Sequence, residues 1–140
     1  MAENVLNIEI ISPEGVILKD EINEIILSTV QGQIAVLPQH APLFTKLTEG
    51  EAIIKKSSGD ILIAIAGGFL EVLDNRVSIL ADYAVKPEEI QVDRVEEARK
   101  RAEEILKKKP AEAEAALARN ELRKTLFALK IADKIRRRPR

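Results

Sequence analysis

At Lys86-Pro87 the hydrophobic period of the chain changes, and no single regular element can serve both sides of that point. Before it, apolar residues alternate with polar ones in short runs; after it they recur every three or four residues. Alternation at period 2 lines one face of a strand, whereas period 3.6 lines one stripe of a helix. The chain therefore divides into a β-built part, residues 1–85, and a helical part, residues 86–140. The expected class is α+β: an N-terminal antiparallel β-sandwich followed by a C-terminal two-helix antiparallel hairpin.

Within the first part, "VLNIEIIS" places Leu6, Ile8 and Ile10 on one face, and "PEG" at 13–15 turns the chain into "VILK". "INEIILSTV" and "QIAVL" flank Gln31-Gly32, and "EAIIKKSSGDILIAIA" folds back at Ser57-Ser58-Gly59-Asp60, residues that tolerate positive φ. Gly67-Gly68 interrupts an apolar run, which marks a bulge or a close backbone approach. "FLEVL" and "VSILAD" around Asp74-Asn75-Arg76 supply one more hairpin.

In the second part, Asp93 with Glu96 fits a capping box, and Val95, Ala98, Ala102 and Ile105 follow at helical spacing up to Pro110. A second helix is expected over 111–137, with Ala115, Ala118, Leu122, Leu126 and Leu129 on one stripe. At about 100° per residue, Phe127, Ile131 and Ile135 fall on the opposite side. That second stripe suits either a permanent contact with the β part or a helix that exchanges partners.

Charge divides at the same place. Residues 1–85 hold 5 Lys or Arg against 12 Asp or Glu, and residues 86–140 hold 17 against 11. Two parts with different partners are implied. There is no cysteine, which removes disulfides and thiolate chemistry. The longest apolar runs are too short to span a bilayer, and "MAENVLNIEI" lacks a signal-peptide pattern, so a cytosolic protein without direct membrane insertion is expected. An enzyme would need more than the acid pairs Asp20-Glu21, Glu88-Glu89 and Glu103-Glu104, which sit where carboxylates are solvated; no nucleophile motif or metal-ligand spacing accompanies them. No catalytic residue and no metal site are assigned. A nucleic-acid adaptor fits "KIRRRPR" and "LKKKP", but Phe127 is the only aromatic residue in the basic half, and acids alternate with the bases.

The one histidine, His40, stands between Pro38 and Pro42 in "VLPQHAPLF". Together "GQIAVLPQHAPL" (32–43), "IAGGFLEV" (65–72), "VSILADYA" (77–84) and the Pro-hinged helical hairpin closely resemble the ε subunits of F-type ATP synthases. The resemblance covers almost the whole chain, and its match over Gly67-Gly68-Phe69-Leu70 implies that Phe69 and Leu70 belong to the sandwich core. It implies a non-catalytic rotor subunit of a proton-translocating synthase in the central stalk, linking the γ subunit to the membrane c-ring. It also implies a peripheral position on the cytoplasmic face of the bacterial plasma membrane. The loop carrying Gly-x-x-x-x-x-Pro-x-His-Ala-Pro would touch ring and γ through Gln31, Gln33, His40, Ala41, Pro42 and Leu43. Two prolines would fix its shape before binding, lowering the ordering cost of an interface.

The family's hairpin can extend toward the αβ catalytic ring and oppose ATP hydrolysis through basic residues. Arg119, Arg123, Lys130, Lys134, Arg136, Arg137 and Arg138 are the candidates here, with a solvated charged face as the alternative. Some relatives bind ATP in the hairpin through an acid and several arginines. Only Arg94 and Arg101 match; Gln91 replaces the acid, and Lys124 and Ala128 replace two arginines. Lysine lacks the bidentate fork, so no cofactor is expected beyond weak ATP binding at most.

Overall fold

The computed structural model describes residues 4–137, and the chain divides into two compact units at Lys86/Pro87. The first unit holds β1 (Leu6–Ser12), β2 (Gly15–Ile22), β3 (Glu24–Thr29), β4 (Gly32–Val36), β5 (Leu43–Lys55), β6 (Ile61–Leu73), β7 (Arg76–Ala81) and β8 (Ala84–Val85). Its strand order is β2-β1-β7-β6-β5-β3-β4, with β8 paired to β6. Every ladder is antiparallel except β1 with β7, which run parallel. That pairing joins the first strand to one about 70 positions later, a distance at which local periodicity carries no information.

The two longest strands show how one sheet wraps a single core. In β6 the core-cluster residues Ile63 and Ile65 stand on odd positions, but beyond Gly67-Gly68 they are Leu70 and Val72, on even ones; Ala64 is buried on the opposite face, outside that cluster. The neighbours change phase at the same level: Leu47 gives way to Ala52 and Ile54 in β5, and Val77, Ile79 and Ala81 in β7 give way to Ala84 in β8. All of these side chains except Ala64 belong to one core cluster. The registers do not slip across this line, since Leu47 pairs with Gly68 and Glu49 with Ala66. The three strands therefore roll over together, and each half keeps its apolar side on the core. A one-residue change of phase is what turns a strand over.

The glycines make the roll possible. Gly67 and Gly68 have φ of 93° and 131°, a region that L side chains rarely adopt. At Gly68 a Cβ would lie 2.1 Å from the Leu80 carbonyl oxygen and 2.8 Å from the Ala81 Cα. Only a residue without a side chain lets β7 approach that closely. Phe69, next in line, points outward and is 45% exposed, contrary to the core position that the resemblance implies, because the phase change at the glycine pair turns it to the outer face; Leu70 is fully buried.

An ion pair ties the edge strand β2 to the β5–β6 turn, where Lys56 Nζ donates to Asp20 Oδ2. The Lys56 ammonium, followed by the Glu21 amide at 2.7 Å, holds the Asp20 carboxyl below the ordinary aspartate range. A lowered folded-state pKa contributes stability that is present above the unfolded value and disappears as pH falls through the folded one. Asp20→Asn should therefore lower the urea midpoint at pH 7, and the difference should vanish at an acid pH below the lowered folded-state value, where both side chains are neutral. An equal difference at both pH values would exclude the pair as its cause.

The second unit begins with a 3-10 turn at Pro87–Glu89, followed by α1 (Val92–Lys107) and α2 (Glu112–Arg137), which pack on each other. The capping box is not formed. The N-cap is Gln91 with no side-chain cap bond, Asp93 lies inside the first turn, and Glu96 instead accepts from Arg99 Nη2 at 2.9 Å. The helix starts two residues too early for Asp93 to cap it, and there its carboxylate faces the positive end of the helix dipole. Between the helices Lys109 takes a left-handed φ of 49°, reversing the chain before Pro110. Ala102, Ala115, Ala118 and Thr125 are buried, small side chains that permit close helix approach, and Thr125 Oγ1 donates to the Leu122 carbonyl at 2.8 Å. Phe127 and Ile131 are buried too, but Leu126 is 50% exposed and does not join the apolar stripe.

Candidate interaction site

The loop from Leu37 to Pro42 is a shaped turn. His40 donates its backbone N–H to the Leu37 carbonyl at 3.1 Å, with Pro38 second and Gln39 third at a φ of 71°. Proline second and positive φ third is the arrangement of a type II turn. Gln39 then donates its N–H to Asn75 Oδ1 at 2.7 Å, pinning the loop to the β6–β7 turn. His40 Nδ1 lies 2.7 Å from the Ala41 carbonyl oxygen. A carbonyl only accepts, so Nδ1 carries the proton and Nε2 remains the side chain's outward polar atom. Ala41 and Pro42 are exposed and Leu43 half-buried, so His40, Ala41, Pro42 and Leu43 do form one surface segment. Gln31 and Gln33 stand elsewhere: Gln31 lies in the β3–β4 turn and Gln33 near the start of β4, paired with Ser28, so the rest of β4 separates them from the loop by about 13 Å of strand rise.

A second surface feature was hidden in the sequence. Phe44 on β5 and Phe69 on β6 stack with ring centroids 5.7 Å apart while 68% and 45% exposed. Leu80, 59% exposed, stands directly across from Phe69 on β7, and Lys46 across from it on β5. Two aromatic rings and a leucine open to solvent on the outside of a sheet form a contiguous apolar patch, which marks an interaction surface more often than chance exposure does. The signal that could have found it is the glycine pair: counting phase afresh after Gly68 sends Phe69 outward.

On α2, Arg119, Arg123, Lys130, Lys134 and Arg137 fall within about 60° of one another and span about 27 Å. Arg136 points roughly 120° away from that stripe, and Arg138 lies outside the described residues. Several of these cations are engaged within the helix: Arg119 with Glu112 at 2.7 Å, Arg123 with Asn120, Arg137 with Asp133 at 3.3 Å. Lys130 and Lys134 also have partners. All five are exposed, and the exposed Leu126 lies beside them.

Arg94 and Arg101 share one face of α1, seven residues apart, and Arg101 lies 4.0 Å from Glu97. On α2, Ala128 is buried and has no donor to offer a phosphate. These residues do not assemble a guanidinium grip for a nucleotide. Among the described residues no group of acids and histidine could hold a metal ion, and no helix is long and apolar enough to cross a membrane.

Residues 5–87 match the model of the ATP synthase delta/epsilon chain β-sandwich domain. The chain is 42% identical over 135 residues to the ATP synthase epsilon chain of Chloroflexus aggregans, covering 95% of this chain and 97% of that one. It is 41% identical to the Moorella thermoacetica epsilon chain, at 93% and 98% coverage. The chain belongs to the ATP synthase epsilon chain family. These matches run through both units, so the hairpin is part of the shared plan. A chain of the Euglena gracilis mitochondrial ATP synthase, solved as an OSCP/F1/c-ring assembly, superposes with a TM-score of 0.63 at 24% identity, covering 92% of this chain and 81% of that chain, and shares its fold. As an epsilon-family chain the protein is a non-catalytic accessory subunit of ATP synthase, and its partners are other ATP synthase chains.

Proposed function

We propose that this chain is a rotor subunit of the central stalk that joins γ to the membrane c-ring and, through its helical unit, opposes ATP hydrolysis by the αβ ring. The observation that carries the docking half is the solvent-open Phe44–Phe69–Leu80 patch, where two stacked aromatic rings and a leucine stand together on the outside of the β unit. Leaving such a surface exposed is unfavourable unless a partner covers it. The patch is assigned to γ, and the proline-stiffened His40 loop to the rotor contact that includes the ring. The basic stripe on α2 supports the regulatory half, because a row of cations suits acidic segments of the catalytic subunits. In a proton-translocating synthase this places the chain peripherally, on the cytoplasmic face of the bacterial plasma membrane.

Phe69→Glu tests the docking. The side chain is half exposed, so the variant should melt within a few degrees of the parent. Capture of γ and c subunits from detergent-solubilised membranes should weaken about 30-fold, the size of a lost aromatic hot spot. Undiminished capture by a folded variant would remove the patch from the interface.

A further inference from the structure

The β6–β7 turn carries a side chain that its own geometry does not require. Leu73 pairs with Arg76, so Asp74 and Asn75 form a two-residue connection with φ of 50° and 60°. Glycine would serve that backbone equally well. The Asn75 amide is instead used at long range: its Oδ1 accepts the Gln39 N–H at 2.7 Å across 36 positions of sequence. Its carbonyl oxygen accepts the Asn7 N–H at 2.9 Å, so the residue doing this is itself fixed to β1. Gln39 holds a positive φ of 71° that a glutamine adopts at a cost, and the Asn75 bond is what opposes relaxation of that turn.

We propose that Asn75 is a positioning residue that sets the Leu37–Pro42 loop in its binding shape before the partner arrives. Proline fixes φ at residues 38 and 42 but leaves the peptide between Pro38 and His40 free to turn over. Asn75 closes that freedom. An interface made by a preset loop spends less on ordering and gains affinity without any contact from the residue that presets it. The proposal rests on the reading that this loop meets the rotor partner.

Three variants separate the possibilities. Asn75→Gly keeps the positive φ and removes the acceptor, Asn75→Asp keeps both, and Pro42→Gly loosens the loop without touching Asn75. Each is measured for melting temperature, for amide exchange at Gln39, and for binding to detergent-solubilised ATP synthase stripped of its epsilon chain. For Asn75→Gly we expect a melting temperature within about 3 °C of the parent, Gln39 exchange about tenfold faster, and binding about tenfold weaker, as one lost hydrogen bond implies. Asn75→Asp should restore both to within about threefold. Unchanged exchange at Gln39 in Asn75→Gly overturns the proposal. So does parental binding by Asn75→Gly when Pro42→Gly binds weakly, and the contact reading then survives. Parental binding by Pro42→Gly removes the loop from the contact and takes the proposal with it.

Discussion

Gly68→Ala is expected to destabilise the β unit by about 4 kcal/mol, summing backbone strain and overpacking of roughly 1–3 kcal/mol each. In a unit of this size that lowers the melting temperature by roughly 15–30 °C. The new methyl would meet the Leu80 carbonyl oxygen at 2.1 Å and the Ala81 Cα at 2.8 Å, both backbone atoms that no rotamer change can move aside. Gly59 provides the control. Its φ of 127° is nearly that of Gly68, yet a Cβ there meets nothing within 4 Å. Gly59→Ala should therefore show the strain alone, about 1–3 kcal/mol. Thermal melts of the two variants side by side separate conformation from close approach. Equal losses would mean that the nearness of β7 is not what demands glycine at 68.

Removing residues 87–140 is expected to leave a folded β unit that still joins the complex, and to raise ATP hydrolysis on the order of fivefold, the lower end of typical coupling between sites. The β unit has its own core, built from β-strand residues alone, so its folding should survive the truncation. On the proposed reading the hairpin biases the complex only by the difference in affinity between two positions. Charge reversal in the full-length chain, Arg123→Glu with Lys130→Glu, should reproduce most of the increase if the basic stripe is the inhibitory contact. The assay is steady-state hydrolysis by complexes reconstituted with saturating variant, with incorporation confirmed by co-purification. Unchanged hydrolysis by a complex containing the truncated chain would end the inhibitory role of the hairpin.

Much of this molecule was legible in its residues. The two periods divide the chain, and most strand turns are announced by Gly, Asn, Asp and Pro, because turn conformations are set by residues in direct succession. The cations of α2 could be aligned by counting, since a helix repeats every 3.6 residues whatever surrounds it. The stiffness of the His40 loop was equally visible, as proline restricts φ locally.

What the sequence determined alone was therefore the set of elements, most of the core, and the shape-limited loop, all governed by interactions between near neighbours along the chain. Tertiary structure decided the rest. Phe69 faces water because Gly67-Gly68 roll three strands over together, and the depth of that roll depends on how near β7 can come. Gln31 and Gln33 are held apart from His40 because β4 runs between them, and Asn75 reaches Gln39 because β6 and β7 carry its turn to the loop. β1 lies parallel to β7 through hydrogen bonds between residues about 70 positions apart. Pairings of that span are chosen by the burial of a shared core, a property of the whole folded unit and not of any stretch of sequence.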